Sequence, residues 1–116
     1  MGLRRWEDAA AAFKKAVSLS SGFSFAAENY AVTLLQQGKD QEAIREFKKI
    51  LLKYPALTDA RAALAVALYL TGDRSGAELQ WFRVEDARYS DRAWLEQNRH
   101  WPPRLIDGME NFIKII

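Results

Sequence analysis

Residues 30–50, YAVTLLQQGKDQEAIREFKKI, return 34 positions later as residues 64–84, LAVALYLTGDRSGAELQWFRV. At that shift Tyr30 falls on Leu64, Ala31 on Ala65, Leu34 on Leu68, Gly38 on Gly72, Ala43 on Ala77, Phe47 on Trp81 and Ile50 on Val84. One shift earlier, Ala9, Phe13 and Ala16 fall on Ala43, Phe47 and Ile50. A small, an aromatic and an apolar residue at spacings of four and three lie on one face of a helix. Gly38 and Gly72 each close the helix before them, because glycine takes the left-handed conformation that ends a helix without steric cost. Each full copy therefore reads as a helical hairpin. Ala31, Ala43, Ala65 and Ala77 mark where two helices cross, since a small side chain lets the backbones approach closely.

Outward from this repeat, the rest of the 116 residues suits one small all-helical domain. Charged residues of both signs (28%) and hydrophobic residues (49%) are in the proportion of a folded chain, which excludes a disordered tail. Only Pro55, Pro102 and Pro103 interrupt long alanine-rich stretches. The absence of cysteine excludes disulfides, thiolate metal sites and a cysteine nucleophile. A formal charge of +2 is spread along the chain and does not argue for nucleic acid. No apolar run approaches a membrane span, and residues 1–13 lack the apolar core of a signal peptide, so a soluble chain is expected.

The repeat resembles the tetratricopeptide family over residues 4–89, and Pro55 stands where that family often places a proline. The resemblance implies an all-α solenoid of helical hairpins wound as a right-handed superhelix and closed by a C-terminal capping helix. Residues 1–100 are divided into a half repeat (3–22), full repeats (24–57 and 58–91) and a degenerate helix (91–100). Helices are expected over 3–19, within hairpins 24–54 and 58–88, and from Pro103 onward in a proline-broken amphipathic segment, 101–116. Asn98 and Arg99 stand where the pattern wants a large apolar residue and a small one.

The family's functional surface is a concave groove lined by the first helix of each hairpin. Carried over position by position, the resemblance nominates Phe25, Glu28, Asn29, Val32, Leu35 and Gln36 in one hairpin, and Asp59, Ala62, Ala63, Val66, Tyr69 and Leu70 in the next. Most are apolar, which fits an amphipathic helix or an extended apolar peptide. A branch of the family clamps a C-terminal carboxylate with basic groove residues. Asn29 matches one clamp position, but Asp59 and Ala63 stand where basic side chains are required, so that clamp is rejected. Asn29 is read first as a structural hydrogen-bonding residue.

Nothing in the sequence points to catalysis, a cofactor or a metal. His100 is the only histidine and has no serine or acidic partner at a recognisable spacing. The acidic pairs Glu7–Asp8 and Glu85–Asp86 read as solvated helix faces. The six glycines, Gly76 and Gly108 among them, read as turn and cap residues with no phosphate-binding loop. Arg45, Lys48, Lys49 and Lys53, with Lys14 and Lys15 one repeat earlier, give a mildly basic outer face.

The ends leave two readings open. The first helix of the half repeat is expected before Met1, which leaves Trp6, Phe13 and Val17 with apolar surface to cover. At the other end Trp101, Leu105, Met109, Phe112 and Ile113, with Ile106 and Ile116, form an apolar stripe that needs a docking surface. One reading is a non-enzymatic interaction module or adaptor that binds a protein or peptide in its groove and helps a larger complex assemble. The alternative is a self-associating protein that oligomerises through these terminal surfaces. The Trp- and Pro-rich stretch from Val84 to Phe112 is similar to C-terminal regions of cyanobacterial and plastid tetratricopeptide proteins implicated in photosystem I assembly. That similarity implies a stromal or cytoplasmic thylakoid face, reached through a partner; without it the expectation is a cytoplasmic protein.

Overall fold

The computed structural model describes residues 3–19, 24–99 and 101–116. Among them there are helices and no strand: α1 (Leu3–Leu19), α2 (Ser24–Gln36), α3 (Asp40–Lys53), α4 (Thr58–Leu70), α5 (Arg74–Phe82), a short α6 (Arg92–Trp94) and α7 (Pro103–Ile115). Gly2, Gly22 and His100 lie outside the described residues. No described helix is long and apolar enough to cross a membrane.

Helices α1 to α5 each pack chiefly on the next in the chain, so the chain doubles back at every turn. The turns repeat atom for atom at the 34-residue shift. Gly38 (φ 81°) and Gly72 (φ 89°) are left-handed. The Lys39 amide donates to Leu34 O and the Asp73 amide to Leu68 O, both at 2.9 Å. Inside each turn Gly38 donates to Leu35 O and Gly72 to Tyr69 O, both at 3.0 Å, so the last carbonyls of α2 and α4 find donors in the same way. A side chain at either glycine would be strained by its φ alone.

The helix crossings are built as the small residues require: Ala31, Ala43, Ala65 and Ala77 are fully buried. Phe47 is fully buried beneath the following hairpin, but Trp81, its equivalent one repeat on, is half-buried. No further hairpin covers α5, and Leu79 and Phe82 are left exposed on it.

At its start α5 is capped by Asp73, whose Oδ1 accepts from the Gly76 amide at 2.9 Å. The equivalent Lys39 at the start of α3 has no side-chain cap. Gly76 is thus a first-turn helical residue rather than a turn glycine, and a Cβ there would stand 2.4 Å from the capping carboxylate. Asp73→Ala is expected to cost about 1 kcal/mol, readable as a lower urea midpoint with unchanged slope.

Beyond α5 the observed path departs from the expected one. Helix was expected to residue 88, but α5 ends at Phe82: the Val84 amide turns back to Trp81 O and Glu85 adopts φ 51°. A 3₁₀ turn follows at Ala87–Ser90, entered through Asp86, whose Oδ1 accepts from the Arg88 amide. Asp91 then caps α6, which widens at once into a π-turn at Leu95–Arg99. Over its described residues, the regular helix expected at 91–100 is therefore replaced by the short α6 and the π-turn, and Leu95, with Tyr89 before it and Trp101 after it, is buried. Pro102 (φ −68°, ψ 158°) breaks the chain direction, and Pro103 opens α7.

Helix α7 returns across the array and packs on both α4 and α2. The result is a globule with a radius of gyration of 13.2 Å, close to the roughly 13 Å of a compact domain of this length.

Candidate functional site: a groove filled at one end and open at the other

The nominated groove residues divide into two groups, and α7 is what divides them. Leu35, Ala62, Ala63 and Val66 are fully buried, and Tyr69 and Leu70 partly so. The expectation of an open apolar groove is corrected here, because the chain's own α7 lies in it. Leu105, Ile106, Met109 and Phe112 supply the stripe that faces down, all nearly or completely buried, with Ile113 at its edge. They are a cap, and not a free surface for a second copy.

Three contacts fix the register of α7. Gly108 was read as a turn or cap residue; it sits in mid-helix instead, where a Cβ would stand 2.6 Å from Val66 Cγ1 and the helix can approach α4 only without one. The Phe112 ring lies 5.3 Å from Tyr69 and meets Trp81 edge-on at 6.4 Å, so it covers part of what a further hairpin would cover. At the N-terminal end of α7, Arg104 donates to Leu35 O at 2.6 Å and pairs with Asp40, while Gln36 Oε1 accepts from the Arg104 amide at 3.0 Å. A guanidinium at the last carbonyls of α2 also complements that helix terminus. Asp40 keeps the Arg104 guanidinium firmly protonated.

The other end of the same groove stays open. A pocket of about 440 Å³ lies between Phe25, Glu28 and Asn29 on α2, Asp59 at the start of α4, and Tyr89 and Arg99 from the irregular segment. Phe25 stands at its rim, 66% exposed. Asn29 Nδ2 donates to Phe25 O and Thr33 Oγ1 to Asn29 O, so Asn29 is a structural hydrogen-bonding residue in this state.

Asp59 is the hub of this pocket. Its Oδ1 accepts from the Tyr89 hydroxyl at 3.0 Å, its Oδ2 from the Trp101 indole at 3.3 Å, and Arg99 pairs with it at 3.5 Å. Glu28 faces the same carboxylate. Burial, then the hydrogen bond to Asp59 and the charge of Asp59, push the Glu28 carboxyl up to about 9, against a smaller opposing pull from Arg99. Glu28 is therefore protonated at neutral pH, and the pair carries one negative charge. Burial and the Asp59 charge also push the Tyr89 phenol well above its usual range. Tyr89 stacks edge-on against Trp94 at 5.0 Å and tilts over Trp101 at 5.9 Å. Arg99 and Arg88 lie 5.1 and 4.9 Å from the Trp94 ring.

A smaller pocket of about 280 Å³ lies beside the first, between Trp6 and Phe13 on α1, Val32 on α2 and Pro102. Trp6 and Phe13 are half-buried, and the side chain of Val17 lies outside the described ones. Among the described residues, no three histidine, cysteine or acidic side chains come together as metal ligands.

The sequence nominated Asp59 for the groove and used it to reject a carboxylate clamp, but gave no sign of it as a hub. Its partners Tyr89 and Trp101 lie 30 and 42 residues away, across a segment with no repeat register to follow. Compared with family models, with curated proteins and with solved structures, the chain matches none.

Proposed function

We propose that this chain is a non-enzymatic interaction module of tetratricopeptide-like hairpins, which binds another protein through the face formed by α2 and α4. One observation carries this reading: that face already receives a helix along its apolar half, while its other half remains an open pocket with an exposed aromatic rim. Such surfaces take helices or peptides through a few apolar anchors. Within the pocket Tyr89, Trp101 and Arg99 are all tied to Asp59, an arrangement that suits a binding wall.

The self-association reading loses one of its two terminal surfaces on this geometry, since the C-terminal stripe is buried within the chain. Substitution at the rim tests the binding face. Wild-type, Phe25→Asp and Leu52→Asp chains are immobilised and the proteins they retain from extract are compared by mass spectrometry. Leu52, 86% exposed on α3, is the control. A set of partners retained by wild type and Leu52→Asp is expected to fall at least about tenfold with Phe25→Asp, the loss of one hot-spot anchor. Equal retention by all three chains would move the site elsewhere.

A further inference from the structure

We propose that the apolar half of the groove is a helix-binding site in which α7 is the resident ligand, and that an amphipathic helix from a partner protein competes with α7 for it. This rests on the interaction-module reading and names both the partner class and its regulation.

The template for the partner is α7 itself. Its anchors fall at Leu105, Met109 and Phe112, the i, i+4 and i+7 positions of one helix face; all three are buried where α7 packs on α2 and α4, and Phe112 also meets Trp81 of α5. Between them Gly108, at i+3, lets the backbone approach Val66, so the partner needs glycine or a residue nearly as small there. Just before the first anchor, Arg104 reaches Leu35 O and Asp40, so a basic residue at i−1 completes the pattern.

The way α7 is attached suits a ligand. It is joined through Pro102, which has no amide hydrogen to carry helix back into the preceding turn and whose carbonyl caps the first turn of α7. Arg104 is its part-buried polar tie to the groove. On its outer side Asp107 and Glu110 pair with Arg92, and near its end Ile115 O accepts from Arg74, all exposed contacts of small energetic weight. What holds α7 is thus mainly an apolar stripe that a second helix can reproduce.

Tethering decides the outcome of that competition. A short linker presents α7 to the groove at an effective concentration on the order of millimolar. A free helix with the same sequence, supplied at micromolar concentration, is outcompeted by roughly a hundredfold or more. Weakening α7 in place removes that barrier, so α7 sets an affinity threshold that a partner helix must exceed.

The test uses full-length chains and a fluorescent peptide with the sequence of residues 101–116. Gly108→Leu and, separately, Leu105→Asp undock α7 in cis while leaving α2 and α4 unchanged. The peptide is expected to bind either variant at least about tenfold more tightly than it binds wild type, read by fluorescence anisotropy. Equal binding to wild type and variants, or binding to none of them while circular dichroism shows folded helix, would overturn the proposal. Loss of helicity in both variants would overturn it as well, since α7 would then be part of the core and not a ligand. A doubled mass of wild type by light scattering would assign the groove to exchange of α7 between two copies and overturn the foreign-helix reading. Failure of the peptide test with Phe25→Asp still abolishing partner capture would remove α7 competition and leave the interaction module standing.

Discussion

Phe112→Ala is expected to lower the unfolding free energy by about 3–5 kcal/mol, the usual cost of emptying a fully buried aromatic site. That is a large fraction of the roughly 5–15 kcal/mol that holds a domain of this size together. The ring lies between Tyr69 on α4 and Trp81 on α5, so its loss removes two aromatic contacts and leaves a cavity that neither rigid helix can collapse into. It also uncovers Trp81, which has no following hairpin above it. Urea denaturation followed by circular dichroism measures the effect. A loss below about 1 kcal/mol would mean that α7 is not seated as described. Phe112→Leu, which keeps most of the volume, should recover a substantial part of the loss, because cores tolerate hydrophobic exchange better than truncation.

The same residue shows where the sequence was readable and where it was not. The hairpins were readable because their determinants are local. Gly38 and Gly72 announce positive φ, and four alanines at matching positions announce close crossings; both arise within a few residues of the structure they cause. The apolar stripe of α7 was readable too, from the spacing of Leu105, Met109 and Phe112. Its docking surface was not, because periodicity says that a face is apolar without saying what it meets. The fit between Gly108 and Val66 joins residues that no repeat register relates, and a glycine in mid-helix looks in sequence like a breaker. The irregular segment resisted for another reason. From Glu85 to Arg99 its course is set by Asp86 and Asp91 capping short turns and by Tyr89, Leu95 and Trp101 seeking burial, and those preferences compete rather than add.

Phe25, Glu28 and Asn29 were nominated through the family resemblance, and the open pocket does contain all three. The protonation state of that pocket needed the third dimension. In sequence Glu28 and Asp59 are two ordinary acids, and a groove that holds them looks acidic. Brought together under Tyr89 and Arg99, they leave Glu28 holding its proton against the neighbouring carboxylate, and Arg99 stands beside them.

The proton held on Glu28 makes Glu28→Gln the most informative substitution in the open pocket. In the unfolded chain a glutamate titrates near its ordinary value of 4.5, whereas the folded chain holds the proton to about 9. Below 4.5 both states carry it, and the group's contribution to stability no longer changes with pH. As pH rises from 4.5 towards 9, the unfolded chain has released a proton that the folded chain still binds, so each step in pH favours unfolding. The contribution of this group is therefore present in full at low pH and lost by about pH 9. Glutamine has no proton to lose, and its amide donates to Asp59 at every pH. The stability of Glu28→Gln relative to wild type should accordingly rise with pH, by about 2 kcal/mol between pH 5 and pH 9; a carboxyl that keeps some contact with solvent realises well under the full shift. Urea titrations of both chains at pH 5, 7 and 9 measure the difference directly. Parallel pH profiles would show that Glu28 is ionised in the folded chain. If the difference opens as expected, it also fixes the charge a partner meets: one carboxylate on Asp59, already answered by Arg99, beside an apolar rim at Phe25. Binding to such a surface should depend weakly on salt, because few uncompensated charges remain to be screened.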